Sequence, residues 1–298
     1  MPSQSGSLSR SVDTTWAYAG TLLVAGFVIF LYRDVFQGLV SDWYHDPDYS
    51  HGFLVPFLSA YFIWERWDAL TKEKISPSLP GAGVLCVGLA CLVIGLVGVE
   101  LYVQRFSLII VLTGLVLLIL GWRYLWILSF PIGFLIFMIP LPAIVVNTIA
   151  FPLQLFAAKA ASFCLFSLGI PVLREGNLII LASTTLEVAE ACSGLRSLLS
   201  LLALGTVYGY FSQDTVWKRW VLVILSVPIA IVANAFRVSG TGILAHYFGV
   251  EAAEGFYHTF EGWIVFVVAF VLLFFCGMIL GKVGSRSLKH PSSVQGTR

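Results

Sequence analysis

Three polar residues, Cys192, Arg237 and His258, interrupt long apolar stretches of this chain. A thiol can act as a nucleophile, an imidazole exchanges protons near neutral pH, and a guanidinium stabilises negative charge. Ionisable groups are costly to keep in apolar surroundings, so such residues suggest a function. Together they supply the groups required for acyl transfer through a thioester.

The segment around Cys192 strengthens this interpretation. Cys192 and Ser193 come just before an apolar run that begins at Leu195, so we expect the thiol at the start of a helix. Free N–H groups and a partial positive charge at a helix N-terminus favour the thiolate and can bind an oxyanion. Arg196 adds positive charge one turn on, whereas the carboxylate of Glu190 opposes the effect if it lies close.

The composition places these residues in a membrane protein. Of the 298 residues, 58% are hydrophobic and 11% are charged, whereas soluble domains carry about 25% charged residues. A helix that crosses the bilayer needs roughly 20 apolar residues. We predict an all-α polytopic membrane protein with about eight transmembrane helices, at residues 16–32, 50–64, 81–99, 106–121, 124–141, 195–211, 219–236 and 259–281.

The positions of the basic residues predict the orientation. With a cytoplasmic N-terminus, most of the 17 Lys and Arg residues fall on the cytoplasmic side, as the positive-inside rule requires. A further span at 143–168 would break this pattern. We therefore predict that residues 143–168 form a helix lying at the outer interface.

The remaining segments complete the predicted organisation. Residues 169–191 suggest a small periplasmic β-hairpin that turns at 174–177, with a third strand possible at 185–188. Residues 1–15 are expected to be a disordered cytoplasmic N-terminus, residues 16–283 a single transmembrane domain, and residues 284–298 a basic cytoplasmic tail.

Span lengths bring the three reactive residues to one face. Arg237 lies 18 residues after cytoplasmic Arg219, a rise of about 27 Å, and Asn234 shares its helix face. His258 begins the last predicted span, at the outer face where Cys192 is also expected. Simpler roles stay open: Arg237 could extend to the interface, and His258 could belong to an interfacial aromatic belt.

The ordered set of motifs resembles the exosortase (EpsH) family of membrane-embedded cysteine transpeptidases, which is related to the archaeosortases. The resemblance extends over nearly all of residues 15–283. The matching segments are residues 190–197 (EACSGLRS), 234–237 (NAFR), His258, 49–56 (YSHGFLVP), 139–142 (IPLP) and 169–177 (GIPVLREGN).

The resemblance implies a catalytic Cys192, Arg237 and His258 at the periplasmic face of a bacterial inner membrane. Asn234, Arg196, Glu190, Ser193 and His51, which lies in one of the matching segments, would support them. Family analogy makes Arg237 the proton donor and His258 the stabiliser of the transition state. Chemistry favours the reverse, because a guanidinium rarely releases its proton.

The resemblance also implies the substrates. These would be secreted proteins with a C-terminal sorting signal: a Pro-Glu-Pro motif, a transmembrane helix and a basic cluster. We expect membrane lipids as further partners, and no nucleic acid, cofactor or metal. Two alternatives share the same residues: a non-enzymatic permease or exopolysaccharide-export component, and an intramembrane cysteine protease that hydrolyses without transfer.

Overall fold

The fold is almost entirely helical, with one small sheet. A computed structural model describes residue 20 and residues 23–182, 184–188, 194–249 and 256–283, with side chains in the last range described from Gly262 onwards. The chain divides into two compact units, residues 1–140 and 141–298. The predicted transmembrane domain at 16–283 therefore contains two units, while the predicted tails, 1–15 and 284–298, lie outside the described residues.

The described residues of the first unit form helices and no strand. Its elements are α1 (Leu23–Leu31), α2 (Arg33–His45), a 3-10 helix (Pro47–Phe53), α3 (Leu54–Glu65), α4 (Trp67–Lys72), α5 (Pro80–Val97), α6 (Leu101–Ile119), α7 (Trp122–Phe134) and a second 3-10 helix (Leu135–Met138). Helices α1 and α2 meet at a bend of 61°. The Glu100 carboxylate caps α6 by accepting a hydrogen bond from the backbone N–H of Tyr102 at 2.9 Å.

Glycines bring α5 and α6 into close contact. A Cβ added at Gly88 would lie 2.7 Å from Cγ2 of Val111 and 2.9 Å from its backbone nitrogen, and one added at Gly114 would lie 2.6 Å from the backbone nitrogen of Leu85. In lipid, helices associate largely through van der Waals contact, which small residues permit. These glycines therefore hold α5 and α6 together as a tight helical hairpin.

Polar contacts fix α2 within the first unit. Arg105, whose side chain is 6% exposed, forms an ion pair of 2.7 Å with Asp42. The indole N–H of the neighbouring Trp43 donates to the carbonyl oxygen of Met138 at 2.8 Å. Gly52 packs on the Trp43 ring so closely that an added Cβ would overlap it.

The described part of the second unit combines four helices with a three-stranded antiparallel sheet. Its elements are α8 (Ala143–Ser167), β1 (Val172–Glu175), β2 (Leu178–Leu181), β3 (Thr185–Glu187), α9 (Leu195–Ser212), α10 (Val216–Phe248) and α11 (Phe256–Lys282). In the sheet, Glu175 pairs with Leu178, and Ile179 pairs with Leu186. The predicted hairpin is thus present, with the third strand that the sequence had left open.

Helices α9, α10 and α11 share one apolar core. This cluster includes Leu195, Leu201, Leu222, Ala233 and Leu273. Helices α9 and α10 run antiparallel, since Gly209 lies against Arg219, Gly205 against Ser226 and Gly194 against Asn234. The positions of these pairs define the level of each residue along the bundle.

Five of the described helices are long and apolar enough to cross a membrane: α5, α6, α8, α10 and residues 262–282 of α11. The bent pair α1–α2 would make a sixth. The eight predicted spans are therefore only partly supported. Region 50–64 contains a 3-10 helix followed by the 12-residue α3, and region 124–141 contains the short α7 with its 3-10 extension. Helix α9 has 18 residues but falls outside the candidate spans.

Helix α8 has the length and hydropathy of a spanning helix, whereas the sequence predicted that it lies at the outer interface. It is one continuous helix of 25 residues, and Pro152 does not interrupt it. Val146 and Leu153 pack on the core of α9, α10 and α11, whereas Leu165 packs with Val238 and Ala245 of α10. Helix α8 therefore runs lengthwise along α10, and its length and hydropathy are those of a spanning helix.

Candidate active site

Gly194 marks the start of α9, next to the Cys192 motif. It has a φ of +83°, in the left-handed region that suits glycine, and it directly precedes the first helical residue, Leu195. The backbone N–H of Leu198 donates to the Gly194 carbonyl oxygen at 2.9 Å. The predicted helix start just after Cys192 is therefore confirmed.

Asn234 of α10 packs directly on Gly194. A Cβ added to Gly194 would lie 2.6 Å from Cγ, 2.8 Å from Cβ and 2.9 Å from Nδ2 of Asn234. Asn234 is 3% exposed, and Gly194 is also buried. Two segments that are 40 positions apart in sequence thus meet through a glycine and an amide.

Arg237 lies one helical turn beyond Asn234 and is half-buried. The sequence predicted that its helix ends near residue 236, but α10 continues to Phe248. This extension packs against the sheet and the end of α8 through Val238 and Ala245. Arg237 is therefore an interior residue of a 33-residue helix, and the parts of this helix before and after it both pack against other elements.

His258 lies in the first turn of α11, which begins at Phe256. Helix α11 runs in the same direction as α9, because the Tyr208 hydroxyl donates to the carbonyl oxygen of Phe274 and the Gln213 side-chain amide donates to that of Gly277, both at 3.0 Å. Gly205 also faces Leu273.

This pairing places residue 258 near the Asn234 end of the bundle. Because Gly205 faces Leu273, the residues ten positions earlier, Leu195 and residue 263, lie at about the same level. Residue 258 comes five positions before residue 263, so its backbone lies about 7 Å beyond the level of Leu195. Arg237 is about 5 Å beyond the level of Asn234, toward the same end. The side chain of His258 lies outside the described residues.

Cys192, Ser193 and Glu190 also lie outside the described residues. Covalent geometry alone keeps the Cα atom of Cys192 within about 7 Å of that of Gly194, because only two peptide units separate them. Arg196 is placed as predicted, in the first turn of α9, where it is exposed.

His51 belongs to the first unit, in the 3-10 helix before α3 and outside the helices long enough to span a membrane. Burial lowers the pKa of its imidazole because desolvation disfavours the charged ring, while hydrogen bonds with the backbone at Phe137 and Asp48 and the charge of Asp48 act in the opposite direction. Burial of this ring therefore disfavours its protonated form.

The sequence analysis predicted no role for Gly194. This residue lies in the segment 190–197, which resembles the exosortase family. Its position between a Cys-Ser pair and an apolar run could have predicted a left-handed residue at the helix boundary, because that conformation favours glycine. Its contact with Asn234 could not be read from the sequence, because it joins two different helices.

The described residues offer no alternative centre for metal chemistry. No group of three or more His, Cys, Asp or Glu side chains among them is placed to hold a metal ion. Of the four cysteines whose side chains are described, Cys86 is exposed, and Cys91, Cys164 and Cys276 are half-buried.

The described fold is that of a multi-pass α-helical membrane protein. Comparison with protein families gives a match to the model described as "Transmembrane exosortase (Exosortase_EpsH)" over residues 43–275. The match covers well over half of the chain, so this protein belongs to the transmembrane exosortase family. Neither the curated proteins nor the solved structures gave a match.

Proposed function

We propose that this protein is an exosortase-type cysteine peptidase and transpeptidase that cleaves C-terminal Pro-Glu-Pro sorting signals of secreted proteins. Family membership supports an exosortase-like function in general. The observation that carries the catalytic proposal is the packing of Gly194 on Asn234. It joins the cysteine motif to the helix that bears Arg237.

The proposed reaction has two steps through one covalent intermediate. The Cys192 sulfur attacks the scissile carbonyl carbon, the C–N bond breaks, and the leaving nitrogen takes up a proton. The resulting acyl-thioester is then attacked by a second nucleophile, which releases the thiol. When that nucleophile is an amine the reaction is transpeptidation, and when it is water the reaction is hydrolysis.

Arg237 and His258 would share the remaining tasks. A guanidinium keeps its proton and suits an oxyanion, whereas an imidazole can give and take a proton near neutral pH. Their own chemistry therefore favours charge stabilisation by Arg237 and proton transfer by His258. Family analogy favours the opposite assignment, and either division of roles uses the same residues.

The proposed location is the inner membrane, with both termini in the cytoplasm and the site facing the periplasm. The distribution of basic residues supports this orientation. A sorting signal with a basic cytoplasmic end would emerge with its motif at the outer face. Membrane lipids would surround both the enzyme and the substrate helix.

The decisive experiment compares cysteine variants during co-expression with a tagged sorting-signal substrate. We expect Cys192→Ala to abolish processing, because no other residue of the proposed site supplies a thiol, and Cys192→Ser to reduce it severely. Cys276→Ala is the matched control and should process like the wild type, since Cys276 packs near the other end of α11.

Product analysis separates the alternatives. A covalent adduct on Cys192 and an amine-capped product C-terminus indicate transfer, whereas a free carboxylate indicates hydrolysis. Processing by Cys192→Ala at the wild-type rate would contradict the thioester mechanism. If that variant also lost polysaccharide export in cells, the export-component alternative would be favoured.

A further inference from the structure

The contact between Gly194 and Asn234 constrains the start of α9 in two ways. The φ of +83° restricts the position to residues that tolerate the left-handed region. Independently, the Asn234 side chain occupies the space that any Cβ at this position would need. Either constraint alone favours glycine, and the second depends on a residue of another helix.

Asn234 is an unusual residue to bury at this point of an apolar helix. It is 3% exposed, and burying an amide side chain is unfavourable unless its polar groups are satisfied. Among the neighbouring core positions of α10, Ala230, Ala233 and Val238 are apolar, whereas the buried Ser239 donates its hydroxyl to a backbone carbonyl oxygen of its own helix. A polar residue kept there indicates a role that an apolar side chain would not fulfil.

We propose that Asn234 is a positioning residue, which holds Gly194 at the start of α9 against α10, near the level of Arg237. This inference rests on the proposed function, because it assigns Asn234 the task of setting the distance between the nucleophile segment and the arginine. Catalysis is sensitive to such distances, since a misplacement of ~1 Å can reduce the rate about 100-fold.

The test is a double-mutant cycle in the full-length protein, with the tagged sorting-signal substrate as probe. Gly194→Ala should lower kcat by about tenfold to 100-fold and leave KM within about twofold, because the added methyl displaces the segment but not the substrate helix. Asn234→Gly empties the occupied space. The double variant Gly194→Ala with Asn234→Gly should therefore be more active than Gly194→Ala alone and no more active than Asn234→Gly alone, which lacks the positioning amide.

Gly169→Ala separates backbone strain from overlap. Gly169 has a similar φ of +80°, but nothing lies within 4 Å of an added Cβ. This variant should keep wild-type kcat. A loss equal to that of Gly194→Ala would show that strain alone matters and would overturn the inference.

Asn234→Ala keeps the test usable if Gly194→Ala does not accumulate in the membrane. It should lower kcat and slow alkylation of Cys192 by iodoacetamide across a pH series, with little change in KM. Wild-type values for both would overturn the inference, as would a double variant no more active than Gly194→Ala. Failure of the proposed function is distinguishable, because Cys192→Ala would then still process the substrate.

Discussion

At the scale of single residues, three buried polar side chains make defined contacts in this protein. Asn234 packs on Gly194 in the second unit. In the first unit, Arg105 pairs with Asp42, and Trp43 donates to the Met138 carbonyl oxygen. A buried charge that loses its partner is strongly destabilising, whereas a surface pair contributes little.

The ion pair between Arg105 and Asp42 gives a residue-scale prediction. We expect Asp42→Ala to destabilise the first unit by ~3 kcal/mol or somewhat less, because it leaves the guanidinium of Arg105 buried without its carboxylate. Asp42 itself is 36% exposed, which moderates the loss. Thermal unfolding of the purified protein in detergent measures the effect.

Asp34→Ala is the control for this measurement. Asp34 pairs with Arg33 at 3.4 Å, but both side chains are mostly exposed. Its removal should change stability by less than ~1 kcal/mol. Equal losses for the two variants would contradict the view that burial gives the Arg105 pair its importance.

At the scale of elements, helix length and helix contact decide what each segment does. Helix α10 continues for 11 residues beyond Arg237, so the arginine is flanked by packed helix instead of lying at a helix end. Helix α8 continues past Pro152 without a break and packs along α10. In the first unit, glycines on facing positions bring α5 and α6 into backbone contact.

The α5–α6 hairpin gives an element-scale prediction. Gly88→Ala should lower the unfolding temperature in detergent, because the added methyl would meet the side chain and backbone of Val111 at 2.9 Å or less. Overpacking of this kind typically costs about 1–3 kcal/mol.

Gly83→Ala on the same helix is the matched control. Nothing lies within 4 Å of a Cβ added at Gly83, which is exposed. Alanine has the better helix propensity, by roughly 0.5–1 kcal/mol. This variant should therefore be neutral or slightly stabilising, and a loss matching that of Gly88→Ala would contradict the role of close helix contact.

At the scale of the whole molecule, the chain forms two compact units. The second unit contains the segment after Cys192, Arg237 and the helix position of His258, so the proposed catalytic set falls within residues 141–298. The first unit holds His51 and the Arg105 ion pair. In the second unit, α8 and the sheet pack on the part of α10 beyond Arg237.

The position of α8 gives a prediction about the whole molecule in its membrane. A helix of 25 residues is about 37 Å long, enough to cross the bilayer. In a background without other reactive cysteines, Ala143→Cys and Ser167→Cys should react with a membrane-impermeant thiol reagent from opposite sides of the membrane. Both positions are exposed.

Labelling of both cysteines from the periplasmic side alone would instead restore the interfacial position that the sequence predicted. Gly176→Cys, in the turn between β1 and β2, provides the reference for the side that we propose to be periplasmic. Intact spheroplasts and lysed membranes distinguish the two compartments.

The sequence by itself determined the class of protein, the family and some local structure, namely a pair of strands and the start of one helix. Composition established the membrane environment, because burial in lipid depends on the sum of apolar residues and not on their partners. A local turn predicted the strands around Gly176, and a short polar motif predicted the start of α9 after Cys192. The ordered motifs gave the family that residues 43–275 match.

Only the tertiary structure decided which helices touch and how far they extend. In an apolar solvent, hydrophobicity cannot distinguish a lipid-facing surface from a helix-facing one. Apolar run length therefore ended α10 too early, and it did not show which helices α8 packs against. The packing of the side chains shows which helix surfaces are in contact. Leu165 lies against Gly242, and Asn234 lies against Gly194, because small residues on one helix admit the side chains of another.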